Sequence, residues 1–180
     1  MLNRRTPSAQ RGFSLVELMI GIAILAILAA VAVPSFQTWL LNSQVRNAAE
    51  SISNGLQRAR AEAVGRNTDV EFILTDAGSS WTVKVAGGAD IETRSSAEGS
   101  KSVTVSAVDA GSNAATTVTY NGFGSIKATN ADASAPFTQV DVDSSVLSAE
   151  ESQNLSITLG IGGNVRMCDP NAPVGSPRAC

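Results

Sequence analysis

One carboxylate constrains this chain more than any other residue. Glu17 stands at the head of an unbroken apolar stretch, Leu18 to Val33, and follows Arg11-Gly12-Phe13-Ser14-Leu15-Val16. An ionised carboxylate at the edge of a membrane-spanning run costs several kcal/mol unless a partner neutralises it. The run covers about 24 Å at the helical rise, and adding residues 13–16 and 36–41 brings it to bilayer thickness. A single membrane span is therefore expected, and Glu17 needs a reason to be there. One local reason is the form Ser14-Leu15-Val16-Glu17, a capping box in which Glu17 satisfies a free backbone N–H and sits well at a helix N-terminus. A rival for the whole segment is an ordinary secretory signal, with a basic start, an apolar run and Ala30-Val31-Ala32 as its cleavage site. A carboxylate at the head of the apolar region speaks against that rival.

Arg4, Arg5 and Arg11, the Gly12-Phe13 junction and the glutamate five residues beyond the glycine together resemble the class III signal of type IV prepilins and type II secretion pseudopilins. The resemblance implies that residues 1–12 are a leader, removed by a dedicated prepilin peptidase that cuts between Gly12 and Phe13. It implies N-methylation of Phe13, and a role for Glu17 in an assembly salt bridge with the N-terminal amine of a neighbouring subunit. The capping role is compatible with this.

The chain has no histidine, which removes the usual general base, proton shuttle and commonest metal ligand. Cys168 and Cys180 are the only cysteines, too few for a zinc site. No catalytic residues, metal or cofactor are expected. Without the leader, 10 basic residues face 16 acidic ones, and beyond residue 40 the balance is 10 to 15, a net of −5. Such a head repels phosphate backbones on average, so nucleic acid is not an expected partner. Basic residues before the apolar run, with almost none just after it, place the N-terminus in the cytoplasm and the bulk outside, where disulfides are permitted.

Beyond the apolar run the pattern becomes periodic. Leu41, Val45, Ala48, Ile52, Leu56, Ala59 and Ala63 step by three or four, one face of an amphipathic helix. Asn42, Arg46, Glu50, Asn54, Gln57 and Arg58 make its polar face, and Gly65 and Asn67 are its expected stop. Pro34 is expected to loosen the helix near the membrane surface, where Trp39 suits an interfacial anchor. From Asp69 the period switches to two. Alternating segments around Val70–Leu74, Trp81–Val85, Val103–Val105, Val118–Tyr120, Val140–Val142, Leu155–Leu159 and Val165–Met167 predict seven short strands. Residues 87–100, 109–115 and 130–136 are small and polar and read as exposed loops. Trp81 and Tyr120 share strand faces with valines and are expected in the core. Gly160-Ile161-Gly162-Gly163 reads as a turn between strands, since a phosphate cradle needs a following helix. Asp141, Asp143, Glu150 and Glu151 lack calcium-loop spacing and read as a solvated acidic surface.

The tail from Asp169 carries three prolines and forms no regular structure of its own. A Cys168–Cys180 bond would close it into a loop worth about 3 kcal/mol on the chain-entropy model. The alternative is a free Cys180 at a loose end. Two cysteines in an extracytoplasmic domain favour the bond.

The expected architecture is α+β: a leader at 1–12, a transmembrane and filament-core helix at 13–41, the amphipathic half of the same helix at 42–66, and a β-rich head at 67–180. This resembles the type IV pilin fold. One long helix without a second helical region, the run Ser53-Asn54-Gly55-Leu56-Gln57-Arg58-Ala59-Arg60-Ala61-Glu62-Ala63, the turn Tyr120-Asn121-Gly122-Phe123-Gly124 and the ending Gly163-Asn164-Val165-Arg166-Met167-Cys168 are similar to the FimT/GspH group of minor pilins and pseudopilins. The resemblance implies a non-enzymatic, FimU-like minor pilin that primes or tips a type IV pilus, or its counterpart in a secretion pseudopilus. It would be stored in the inner membrane with a periplasmic head, and its partners would be other minor and major pilins. The alternative in this group is a FimT-like subunit that captures DNA in natural transformation through a Gly-Arg-x-Arg motif. Here the matching window is Gly163-Asn164-Val165-Arg166, in which asparagine replaces the first arginine. Arg166, with Arg178 folding back beside it, is the DNA contact this alternative would use.

Overall fold

The computed structural model describes residues 13–173 and 175–180. The expected leader, with Gly12 and its three arginines, lies outside the described residues. The only helix among them, α1, runs without interruption from Leu15 to Arg66, with Pro34 inside it. Ser14 caps it: the Glu17 N–H donates to Ser14 Oγ at 3.2 Å and the Leu18 N–H to the Ser14 carbonyl. At the other end Asn67 takes a left-handed conformation, φ 50°. The Thr68 N–H then reaches back to the Ala63 carbonyl and the Asn67 N–H to that of Val64, the pair of bonds of a Schellman motif. Of the two expected stop residues, Asn67 does the work, and Gly65 remains inside the helix.

The chain forms two compact units. Of the described residues, 13–37 make one, a helical segment whose large apolar side chains are all exposed. Thr38–Cys180 make the other. In this head α1 buries Val45, Ala48, Ala49, Ser51, Ile52, Gly55, Leu56, Ala59 and Ala63, while Leu41 is only half-buried. Eight strands follow: β1 Val70–Leu74, β2 Trp81–Val85, β3 Asp90–Arg94, β4 Val103–Asp109, β5 Thr117–Tyr120, β6 Phe137–Ser144, β7 Leu155–Leu159 and β8 Val165–Cys168. They make two antiparallel four-stranded sheets, in the orders β3-β2-β1-β5 and β4-β6-β7-β8.

The alternation in these strands decides what faces inward. Val70, Phe72 and Leu74 of β1, Trp81 and Val83 of β2, Val118 and Tyr120 of β5 share one core with Val103, Val105, Val140, Val142, Ile157 and Leu159 of the second sheet and with the α1 stripe. Phe72 is central, 5.5 Å from the Trp81 ring and edge-on to Phe137 at 6.1 Å, so it joins the two sheets. Backbone bonds stitch them too: the Val105 N–H donates to Ala77 O at 2.8 Å and the Ile126 N–H to Ile161 O at 3.0 Å.

Strand β3 corrects the expectation of a loop over 87–100. Its Asp90, Glu92, Thr93 and Arg94 carry no hydrophobic alternation because it is an edge strand, paired only with β2 and exposed on most of its length. Residues 130–136 need a smaller correction. Asn130 is buried, accepts from the Thr119 hydroxyl and donates to the Thr117 carbonyl, closing the loop over the outer face of β5.

Candidate functional site

The first candidate surface is the N-terminal helix itself. Phe13, expected as the methylated residue, is exposed, as are Leu15, Val16, Leu18, Met19, Ile20 and the large apolar side chains that follow as far as Leu40. This segment is long and apolar enough to cross a membrane. Among the described residues the large apolar side chains from Leu15 to Val33 are exposed, and so apolar a surface needs lipid or other helices. Glu17 sits in the first turn, where a carboxylate faces the positive end of the helix dipole.

A second feature joins three segments that the sequence singled out separately. Arg60 on α1 donates through Nε to the Gly124 carbonyl at 3.0 Å and through a terminal nitrogen to the Gly162 carbonyl at 3.2 Å. The helix end, the 120–124 turn and the 160–163 turn thus meet at one guanidinium. A planar fork of donors suits two carbonyls presented side by side, which an ammonium would not match. The contacts are tight enough to demand glycine. A β-carbon on Gly122 would lie 2.6 Å from Asn67 Oδ1, and one on Gly124 3.0 Å from Arg60 Nε. Sequence reasoning gave Arg60 no role of its own; the glycines in both turns were the available clue.

The C-terminal segment is closed by a disulfide between Cys168 and Cys180. Inside the loop the Asp169 N–H donates to the Arg178 carbonyl at 2.7 Å, and Asp169 and Ala179 form an isolated parallel bridge. The Asn171 amide reaches Asn154 at 2.6 Å. Arg166 projects from β8 and its guanidinium donates to the Ala179 carbonyl at 2.7 Å. The structure thus brings Arg166 beside the residue that follows Arg178, and gives Arg166 a structural bond to the tail. Asn164, at the position of the missing arginine, turns back on its own hairpin: its carbonyl accepts from Gly160 N–H, and a β-carbon on Gly160 would lie 2.3 Å from its Oδ1.

The acidic residues do not converge. Asp141 accepts from Ser156 and from Gln139, while Asp143 accepts from the Ser152 hydroxyl; both carboxylates line an open concavity on the outer face of the second sheet. Among the described residues no group of three or more side chains could hold a metal ion. Besides Glu62, which the Arg66 guanidinium holds low, hydrogen bonds keep two loop carboxyls below their ordinary range: Asp109 through the Asn113 backbone, and Asp132 through the Ser134 hydroxyl. Both order loops. Trp81 and Tyr120 are core residues, and the Trp81 indole donates to Ser51 Oγ at 2.9 Å.

A long helix with an uncovered apolar half and an antiparallel head together define the type IV pilin fold. The crystal structure of the type IV minor pilin FimU from Pseudomonas aeruginosa superimposes with a TM-score of 0.50 at 16% identity, covering 77% of this chain and 96% of that one. Residues 7–33 match the prokaryotic N-terminal methylation motif, and residues 48–169 match the family described as Type II transport protein GspH. The chain belongs to that GspH family. A fimbrial protein of Moraxella nonliquefaciens is 44% identical over 73 residues, 37% of this chain and 47% of that protein. The type IV major fimbrial protein FimA of Dichelobacter nodosus is 39% identical over 69 residues, 38% of this chain and 37% of that protein. The matches therefore span less than half the length of these curated relatives.

Proposed function

We propose that the protein is a minor pilin, a structural subunit that primes assembly of a type IV pilus or a related type II secretion pseudopilus, or sits at its tip. One observation carries the reading: a methylation motif and an uncovered apolar helix share a chain with a GspH-family head. The subunit would wait in the inner membrane with its head in the periplasm, be cut by the prepilin peptidase between Gly12 and Phe13, and then be drawn into the filament among other minor and major pilins. Its work there is packing. Residues 13–41 exchange lipid for neighbouring helices, and Glu17 pairs with the amine of a neighbour's Phe13. In a dry core a missing partner leaves a buried, uncompensated charge, which costs about 3–5 kcal/mol and makes the pair a check on register.

The test is Glu17→Ala. The variant should insert into membranes as well as wild type, since it removes a charge from the apolar run, while its share in sheared filaments falls sharply. Equal incorporation would reduce Glu17 to a helix cap and remove the assembly role.

DNA capture has less behind it. The head carries a net charge of −5, and Asn164 stands where an arginine is needed. Arg166 already serves the tail carbonyl. A mobility-shift titration of duplex DNA with the purified protein should show no appreciable binding at physiological salt. Micromolar, salt-sensitive binding lost in Arg166→Ala would reverse this.

A further inference from the structure

Asparagine precedes glycine twice in this chain, at Asn54-Gly55 and at Asn121-Gly122. Such a pair is open to attack by the glycine nitrogen on the side-chain amide before it, because glycine has no β-carbon to obstruct a five-membered ring and its backbone turns freely. The two copies stand in opposite surroundings. Asn54 lies inside α1, where the Gly55 N–H is committed to the carbonyl four residues back. Gly55 cannot swing either, since its ideal β-carbon position is 2.7 Å from Phe72 and 3.0 Å from the Trp81 ring. Asn54 is the more exposed of the two asparagines, so access to water is not what separates them.

Asn121 is half-buried in the turn after β5, and its Oδ1 accepts from the Phe123 N–H at 2.9 Å and from the Ser125 N–H at 3.1 Å. Two donors on one amide oxygen draw electrons away from Cγ. They are also already in place to hold the negative charge that forms on that oxygen when Cγ is attacked, as in an oxyanion hole. The backbone around them is fixed, with the Asn121 N–H on Ser125 O and the Gly124 N–H on Asn121 O. The two nitrogens that must change bonds are unengaged: among the described residues neither the Gly122 N–H nor the Asn121 amide nitrogen donates to any group. By contrast the amide nitrogens of Asn42, Asn113, Asn130 and Asn171 all donate to partners.

We propose that Asn121 is a site of self-modification, at which the Gly122 nitrogen displaces the side-chain amide nitrogen. Hydroxide takes the Gly122 N–H proton, the nitrogen forms a bond to Cγ, and the carbonyl π pair moves onto Oδ1 between its two donors. The Cγ–Nδ2 bond then breaks, the departing nitrogen takes a proton from water and leaves as ammonia, and hydroxide is regenerated. A cyclic imide now joins positions 121 and 122. Water opens it at Cγ to give an aspartyl residue, or at the main-chain carbonyl to give an isoaspartyl one. The two products act oppositely on the turn. An aspartyl side chain keeps an oxygen for the Phe123 and Ser125 N–H groups and strengthens both bonds with its charge. It also brings a carboxylate into the turn whose Gly124 carbonyl is held by Arg60, a guanidinium with no ion pair among the described residues. The isoaspartyl form instead lengthens the main chain by one carbon. That displaces Gly122 from its close fit against Asn67 and the Gly124 carbonyl from Arg60, so the clasp between the two turns loosens.

The test is incubation of the full-length protein in detergent at mildly alkaline pH, folded and in urea, with peptide mass spectrometry of both asparagines and enzymatic methylation to count isoaspartyl residues. In the folded chain position 121 should convert at least several-fold faster than position 54, while in urea the two convert at similar rates. The isoaspartyl fraction, separated by chromatography, should show faster amide exchange at Gly124 and Ile126, whose N–H groups hold the turn and its link to Ile161. Asn121→Asp, which carries the product's charge on a backbone of normal length, should not. Two results overturn the proposal: position 121 unconverted in the folded chain over the time in which urea converts it, or position 54 keeping pace with it in the folded chain. Unchanged exchange in the isoaspartyl fraction would overturn the effect on the clasp.

Discussion

The carbonyl oxygen of Gly124 occupies the space that a β-carbon on Gly163 would need, 2.0 Å from its ideal position. The two residues are 39 apart in sequence and belong to turns of different sheets, yet they close the end of the head together. Gly163 also has φ 80°, in the left-handed region, so both its backbone and its surroundings exclude a side chain.

Gly163→Ala should therefore destabilise the head by roughly 2–5 kcal/mol, combining left-handed strain with overpacking against a backbone atom. Gly87→Ala is the control. Gly87 has φ 70° but nothing within 4 Å of its would-be β-carbon, so only the conformational part, about 1–2 kcal/mol, should appear. Urea denaturation of both variants measures the difference, and equal losses would mean the turns part easily.

Gly55→Ala sets two effects against each other. Replacing a mid-helix glycine by alanine ordinarily gains about 1 kcal/mol. Here the new methyl would lie 2.7 Å from Phe72 Cε2 and 3.0 Å from the Trp81 ring, both in the packed core. Overpacking of about 1–3 kcal/mol should win, giving a net loss of stability. Thermal unfolding decides the sign.

Reducing the Cys168–Cys180 bond should lower stability by about 3 kcal/mol at most, since the loop it closes is short. The effect belongs to the tail and β8. Amide exchange under reducing conditions should rise first at Met167 to Asp169, where the tail's backbone bonds lie, while the β1–β2 core stays protected.

Alkaline pH supplies a test through the chain's single tyrosine. Burial pushes the Tyr120 phenol up from its ordinary 10.0 by more than the charge of Arg60 draws it back. The folded state thus holds its proton where an unfolded chain would release it. The stability linked to this group is complete below about pH 10 and is lost as pH rises from there toward the folded value. Tyrosinate absorbance should appear together with loss of tertiary structure. Ionisation at about pH 10 in a folded head would show that the side chain is solvated.

Much of this molecule was legible residue by residue. The apolar run, the step from Val45 to Ala63 and the valine alternation in β1, β2 and β4–β8 each arise from local periodicity, because a helix or a strand must turn one face to the core. Asn67 as a helix stop and the 160–163 turn are likewise properties of short backbone segments. The motif at Gly12, Phe13 and Glu17 is a short local signal that pointed to the class of pilins and pseudopilins, while the resemblance to the GspH group rested on residues 53–63, 120–124 and 163–168.

Only the tertiary structure decided the rest. Strand β3 exists because β2 offers it a ladder of hydrogen bonds, and no hydrophobic pattern is required of an edge. Arg60 became a clasp, and Gly55, Gly124 and Gly163 became obligatory, because distant segments approach to within an atom's width there. Arg166 was given to the tail by a disulfide that brings Ala179 within reach of its guanidinium. Each of these depends on contacts between separate segments of the chain, and sequence periodicity carries information only about the faces of an element, not about which atoms from elsewhere will meet them.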